Sequence, residues 1–215
     1  VPGVGKKARR HLDMLGIRYL GDVNTLCLGL LEKKLGKFGR RLTELAAGVD
    51  RTPVSPESER KSISSEITLD RDTRDSRHLE KILLQQSQIV AQSLRKHAFR
   101  ARTITLKIKQ SDFKQFTRNK TITTPTQSSE TIYKAVVALL ERCRLKQKIR
   151  LIGVGASGLS NDAAPVQMDM FASPADSGEN TWEKVDQALD RITRKFGDHA
   201  IRRASLAGIP RDRKP

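Results

Sequence analysis

Aromatic side chains are scarce in this chain, at 4% of 215 residues, so any core it builds must be aliphatic. Cysteines number two, Cys27 and Cys143, and the four histidines are scattered. That set gives no ligand spacing for zinc, and both cysteines fall in apolar helical stripes, where a buried thiol is expected. A reducing, cytoplasmic compartment is expected. No apolar run approaches the roughly 18 residues of a membrane span, and no signal peptide opens the chain. Acidic residues are also in short supply, with 24 Asp and Glu against 41 Lys and Arg. The net charge of +17 is unevenly spread: residues 1–56 hold 11 basic and 5 acidic side chains, residues 57–160 hold 21 and 10, and residues 161–215 hold 9 and 9. All of the basic excess therefore lies before residue 161, and a polyanion is its natural partner. A membrane surface fits less well, because no basic face is paired with a broad Trp/Phe/Leu face.

What is present is best read from Arg102–Thr124, RTITLKIKQSDFKQFTRNKTITT. Ile104, Leu106 and Ile108 alternate with Thr103, Thr105, Lys107 and Lys109, the period of a strand with one buried and one exposed face. Ser111 and Asp112 break the run, and Thr117–Thr124 resumes it with Arg118 and Lys120 two residues apart on a common face. One side of this hairpin is expected to pack on helices. The other would carry hydroxyls, amides and cations, a surface that suits a phosphate backbone, although an ordinary solvated sheet face reads the same way.

The chain opens with Pro2, Gly3 and Gly5 in a tight turn, followed by a helix with Ala8, Leu12 and Leu15 inward and Gly16 as its stop. Gly3, Val4 and Gly5 ahead of Lys6 and Lys7 leave backbone N–H groups free to meet a phosphate at a positive helix end. The pattern resembles the second half of a helix-hairpin-helix motif, a sequence-independent clamp on the sugar-phosphate backbone. Short helices follow, with Asp22 as an expected N-cap and Gly36–Ala47 as a helix burying Phe38, Leu42 and Leu45. Residues 51–60, with two prolines and no periodicity, read as a linker.

The second region, 61–160, reads β-α-β-β-α-β: a strand from Lys61 to Leu69, a helix capped by Asp75 or Ser76, the hairpin, a helix capped by Ser128, and a strand from Lys148 to Ser157. Each helix has one apolar stripe, so both should cover the same face of one sheet, giving an α+β fold with a small all-α region before it. Ser62, Ser64, Thr103, Thr105, Lys107, Lys109, Arg118, Lys120 and Arg150 are the polar strand residues expected to line the open face.

The chain contains KLGKFGRRL-x-EL-A-x-GVDRTPV with KSISSE-x-T, then ARTITLKIK-x-SDF, TRNKTI and IRLIGVGASGLS. In this order the motifs resemble those of the Y-family translesion DNA polymerases. The resemblance implies that residues 1–50 are a thumb with an incomplete helix-hairpin-helix and that 61–160 are a little finger domain, whose sheet lies in the DNA major groove. It implies primer–template DNA as partner. It also makes the chain a C-terminal fragment of a longer enzyme.

Residues 161–181, rich in Pro, Ala, Ser and Asp, read as a disordered linker, and 182–215 as a terminal helix (Val185, Leu189, Ile192, Phe196) and tail. Within the linker stands Gln167-Met168-Asp169-Met170-Phe171, large apolar side chains in polar surroundings. Gln-x-x-Met-Phe resembles the peptide by which this family holds the bacterial sliding clamp, with Met168 and Met170 in place of the commoner Leu. The Y-family palm, which carries metal-binding carboxylates, has no counterpart here: no catalytic or metal-ligating residue is expected in this chain. No cofactor is expected either, and Mg2+ belongs to the parent polymerase. The expected function is DNA gripping and clamp tethering for an error-prone polymerase, with no synthesis by this chain alone. The alternative is a non-catalytic, polymerase-like DNA-binding adaptor that recruits the clamp.

Overall fold

The computed structural model describes residues 1–55, 59–161, 177–197 and 200–206, with side chains in the last long helix described from residue 181 onward. The chain divides into two compact units, residues 1–58 and 59–215.

Three helices build the first unit: α1 (Lys6–Met14), α2 (Leu28–Leu35) and α3 (Lys37–Ala46), with a 3-10 turn at Leu20–Thr25. Leu12, Ile17, Val23, Leu31 and Leu42 form its core, and Val4 and Phe38 pack against it. Two sequence expectations change here. Asp22 is not an N-cap; the 3-10 turn begins earlier, and the Asp22 carboxylate reaches back to accept the N–H groups of Tyr19 and Arg18 at 2.8 and 2.9 Å. Those two hydrogen bonds hold its pKa below the ordinary aspartate value. Cys27 is exposed rather than buried, because α2 starts after it and leaves it at the capping position outside the apolar stripe.

The second unit is a four-stranded sheet with two helices on one face, as the α+β pattern implied. Its strands are β1 (Ser62–Thr73), β2 (Phe99–Gln110), β3 (Gln115–Thr126) and β4 (Ile149–Asn161), in the order β1-β4-β2-β3 with every neighbour antiparallel. Strand β1 runs past its expected end at Leu69, because β4 continues to pair with it as far as Thr73. Helix α4 (Ser76–Lys96) starts at Asp75, whose carboxylate accepts the N–H groups of Arg77 and His78. Helix α5 (Ser129–Glu141) starts at Ser128 in the same way, through Thr131. Their stripes, Leu79, Ile82, Leu83, Val90 and Leu94 from α4 and Ile132, Val136, Leu139 and Leu140 from α5, close over Ile104, Leu106, Ile108, Ile152 and Val154. Cys143, just beyond α5, is half-buried, and that burial pushes its thiol pKa up.

The last long helix, α6 (Ser177–Phe196), starts five residues before the expected Trp182, and it docks on a different face from the expected one. Its most buried described side chains are Glu183 and Asp186, whereas of the apolar stripe Leu189 and Ile192 are half-buried and Val185 and Phe196 are exposed. The surface it meets explains the inversion. Arg100 forms a two-pronged pair with Glu183 at 2.8 and 2.9 Å, and Arg95 binds Asp190 at 2.6 Å and Asp186 at 3.2 Å. Asp186 also accepts both the N–H and the hydroxyl of Ser129 at the start of α5, each at 2.7 Å. Carboxylates matched to two guanidiniums and a helix N-terminus override the apolar periodicity.

Candidate nucleic-acid interface

Directly paired residues of antiparallel strands point to the same side of a sheet, so the register fixes which side chains share the open face. Four ranks run across it from β1 through β4 and β2 to β3. They are Ser62–Ser157–Thr103–Thr121, Ser64–Gly155–Thr105–Asn119, Glu66–Gly153–Lys107–Thr117 and Thr68–Leu151–Lys109–Gln115. Helices α4 and α5 lie on the opposite side, and α6 packs on α5. Ser62, Ser64, Thr103, Thr105, Lys107 and Lys109 thus come together as the sequence implied.

Arg118 and Lys120 do not join them. They pair with Leu106 and Ile104, whose side chains face the helices, so they leave the sheet on the covered side. Both stay exposed because β3 is the outer strand. Arg118 lies over the Phe116 ring with its guanidinium 5.2 Å from the centroid. The open-face residues of β3 are instead Gln115, Thr117, Asn119 and Thr121. The available signal is Phe116 and Ile122, the apolar members of the opposite phase; choosing by charge rather than phase moves the set by one residue.

Arg150 sits where the β4 register slips: Leu151 pairs with Lys109 but Ile149 with Gln110, leaving Arg150 as the extra residue of a bulge. It is 3.9 Å from Asp72 and stacks on Phe113, 4.9 Å from its centroid. Sequence reasoning also misses Glu66, whose carboxylate meets the Lys107 ammonium at 2.5 Å across Gly153. The two glycines of β4 that stand in these ranks, Gly153 and Gly155, are not equivalent. A Cβ on Gly153 would stand 2.5 Å from Glu66 Cβ and 2.8 Å from the Ser65 carbonyl oxygen. One on Gly155 would meet only ordinary contacts, 3.6 Å from Thr105 and 3.7 Å from Ser64. Packing demands the first glycine, which lies between Glu66 and Lys107, and not the second, which leaves a gap between Ser64 and Thr105.

A similar contrast marks the turn before α1. Gly3 has φ +89, and a Cβ there would be 2.9 Å from Phe38. Gly5 caps α1 with φ −85, and nothing lies within 4 Å of the place its Cβ would take. The first turn of α1 has no side-chain cap, Lys6 and Lys7 are exposed beside it, and Val4 turns inward to the core. The remaining sequence-derived site, Gln167 to Phe171, lies outside the described residues. Among the described residues no three His, Cys, Asp or Glu side chains gather as metal ligands. No helix among them is long and apolar enough to cross a membrane.

The impB/mucB/samB family C-terminal domain matches residues 60–170. DNA polymerase IV of Alkaliphilus oremlandii is 40% identical over 213 residues, covering 95% of this chain and 53% of that protein. DNA polymerase IV 1 of Mesorhizobium japonicum is 34% identical over 213 residues, covering 99% and 48%. Among solved structures, a Y-family DNA polymerase chimera, Dbh-Dpo4(243-245)-Dbh, superposes with a TM-score of 0.59 at 26% identity, over 74% of this chain and 46% of that one. The chain spans about half the length of the curated relatives it matches.

Proposed function

The chain belongs to the impB/mucB/samB family by its C-terminal domain, and from that membership we propose that it is the DNA-gripping part of an error-prone translesion polymerase of the cytoplasm. The observation that carries the reading is the open face: four ranks made mainly of hydroxyl, amide, glycine and lysine residues, with one carboxylate, Glu66, one apolar side chain, Leu151, and no aromatic among them. Such a surface offers hydrogen bonds and cations to sugar and phosphate and nothing that reads a base by stacking. Binding without regard to sequence is what a polymerase needs if it is to hold damaged primer–template. Gly5, Lys6 and Lys7 at the start of α1 supply a second phosphate contact of the helix-hairpin-helix kind. The catalytic palm and its Mg2+ belong to the parent enzyme, and this chain alone makes no DNA.

The test is the salt dependence of binding to primer–template duplex. With about five phosphates neutralised, the log–log slope should be near −4 or steeper. Lys107→Gln with Lys109→Gln should make it shallower by about 0.9 units, nearly all from Lys109 because Lys107 is already paired with Glu66, with little change in melting temperature. A flat slope in the wild type, or preference for one sequence, would remove the DNA reading.

Clamp tethering is the second part of the proposal and rests on Gln167–Phe171. Met170 and Phe171 would fill a pocket on the bacterial sliding clamp, with Gln167 fixing orientation by hydrogen bonds. Each large apolar side chain buried is worth roughly 1.5–3 kcal/mol, and ordering the peptide cancels part of that. The isolated affinity should therefore be micromolar, about −8 kcal/mol. Calorimetry against a bacterial clamp should show binding lost in Met170→Ala/Phe171→Ala while DNA affinity is kept; equal clamp affinities for the two proteins would refute the motif.

A further inference from the structure

The β2–β3 turn contains a residue that local physics disfavours. Phe113 N–H donates to the Gln110 carbonyl at 2.9 Å, and Gln110 N–H to the Lys114 carbonyl at 2.9 Å, so the chain makes a tight turn followed by one left-handed residue before β3. That residue usually is glycine, because a side chain at positive φ crowds the backbone. Here it is Phe113, at φ 65. Packing does not account for it either, since Phe113 is 60% exposed.

Its surroundings do. The Lys109 ammonium lies 5.1 Å and the Arg150 guanidinium 4.9 Å from the Phe113 ring centroid. Two like charges are thus held no more than about 10 Å apart at the end of the open face, one from the last rank of β2 and one from the β4 bulge. Their mutual repulsion is offset by the negative face of the ring. Asp72 at 3.9 Å steadies Arg150 as well. Lys109 has no carboxylate within ion-pair distance among the described residues.

We propose that Phe113 is a positioning residue that gathers Lys109 and Arg150 into one binding site for a DNA phosphodiester. The inference rests on the DNA reading of the open face and adds a residue whose role there is indirect: it touches the two cations, and they touch phosphate. An unfavourable backbone conformation retained by an exposed aromatic is accounted for by that role.

The test uses the full chain and a salt series on primer–template duplex. Phe113→Leu keeps the apolar bulk but loses the ring, and it should weaken binding about fivefold and make the log–log slope shallower by about one unit. Phe113→Tyr should restore both. In a Lys109→Gln/Arg150→Gln background, Phe113→Leu should have no further effect. Phe113→Gly should melt no lower than wild type, since glycine suits the turn, yet bind DNA as weakly as the leucine variant. Wild-type affinity and slope in Phe113→Leu would overturn the proposal, and so would an undiminished loss in the double-glutamine background. Each of those outcomes assumes a steep slope in the wild type; a flat one would instead remove the DNA reading on which the inference rests.

Discussion

The covered and open faces of the sheet are made by the same four strands, one residue out of phase, and they meet opposite demands. On the covered face Ile104, Leu106 and Ile108 are at most 1% exposed beneath α4 and α5. On the open face their neighbours Thr103, Thr105, Lys107 and Lys109 are half-exposed. Burial ties the first set to the fold through every contact it makes, so its members should be costly to change and indifferent to ligand. The second set makes few fold contacts and is available for a partner. Adjacent residues can therefore be separated cleanly by experiment, one reporting on stability and the next on binding.

Leu106→Ala should give the largest effect. It empties a fully buried site between the sheet and two helices, and such truncations cost about 2–5 kcal/mol. Urea unfolding should show the loss with an unchanged m-value. The fraction that remains folded should bind DNA as before, and a selective loss of DNA binding would mean that the two faces are coupled.

The glycines of β4 sharpen the same contrast within the open face. Gly153→Ala should destabilise by about 1–3 kcal/mol, because its Cβ would press on Glu66 and the Ser65 carbonyl. Gly155→Ala should be neutral or slightly stabilising, since an ordinary site accepts the methyl and the unfolded chain loses entropy. Thermal melts of the two variants check this. Equal costs would mean that β4 shifts to relieve the crowding at Gly153.

Much of this organisation is legible in the residues. Period two in β2, the caps at Asp75 and Ser128, and single apolar stripes on α4 and α5 are enough for the strand and helix order and for the layer arrangement, because each is a local signal with one packing solution. The features that sequence misses share a cause: they depend on a neighbour that sequence does not name. Charge places Arg118 and Lys120 on the open face, whereas pairing with Leu106 and Ile104 decides their side. Glu66 is an ordinary residue of β1 until β4 brings it beside Lys107. Helix α6 shows a regular apolar stripe, yet Arg95, Arg100 and the N-terminus of α5 select its acidic side. The exposure of Cys27 turns on where one short helix starts.

Glu66 gives the smallest and most discriminating prediction. Its carboxylate stands on the face proposed to meet phosphates, 2.5 Å from Lys107, and both side chains are partly exposed, at 42% and 32%. A pair that exposed contributes about 0–1 kcal/mol to folding, so stability gives little reason for it. Toward DNA it acts twice: it neutralises Lys107 and adds a negative charge to a surface that should attract negative charge. Glu66→Gln keeps the shape, removes the charge and releases Lys107. Binding to primer–template should tighten by about two- to fivefold at 0.1 M salt, with a log–log slope steeper by up to about 0.9. The melting temperature should scarcely move. In a Lys107→Gln background the same change should leave the slope alone, because no cation remains to be freed. Weaker binding by Glu66→Gln would show that the carboxylate itself accepts a hydrogen bond from the ligand, and the open face would then be more selective than a phosphate-binding surface.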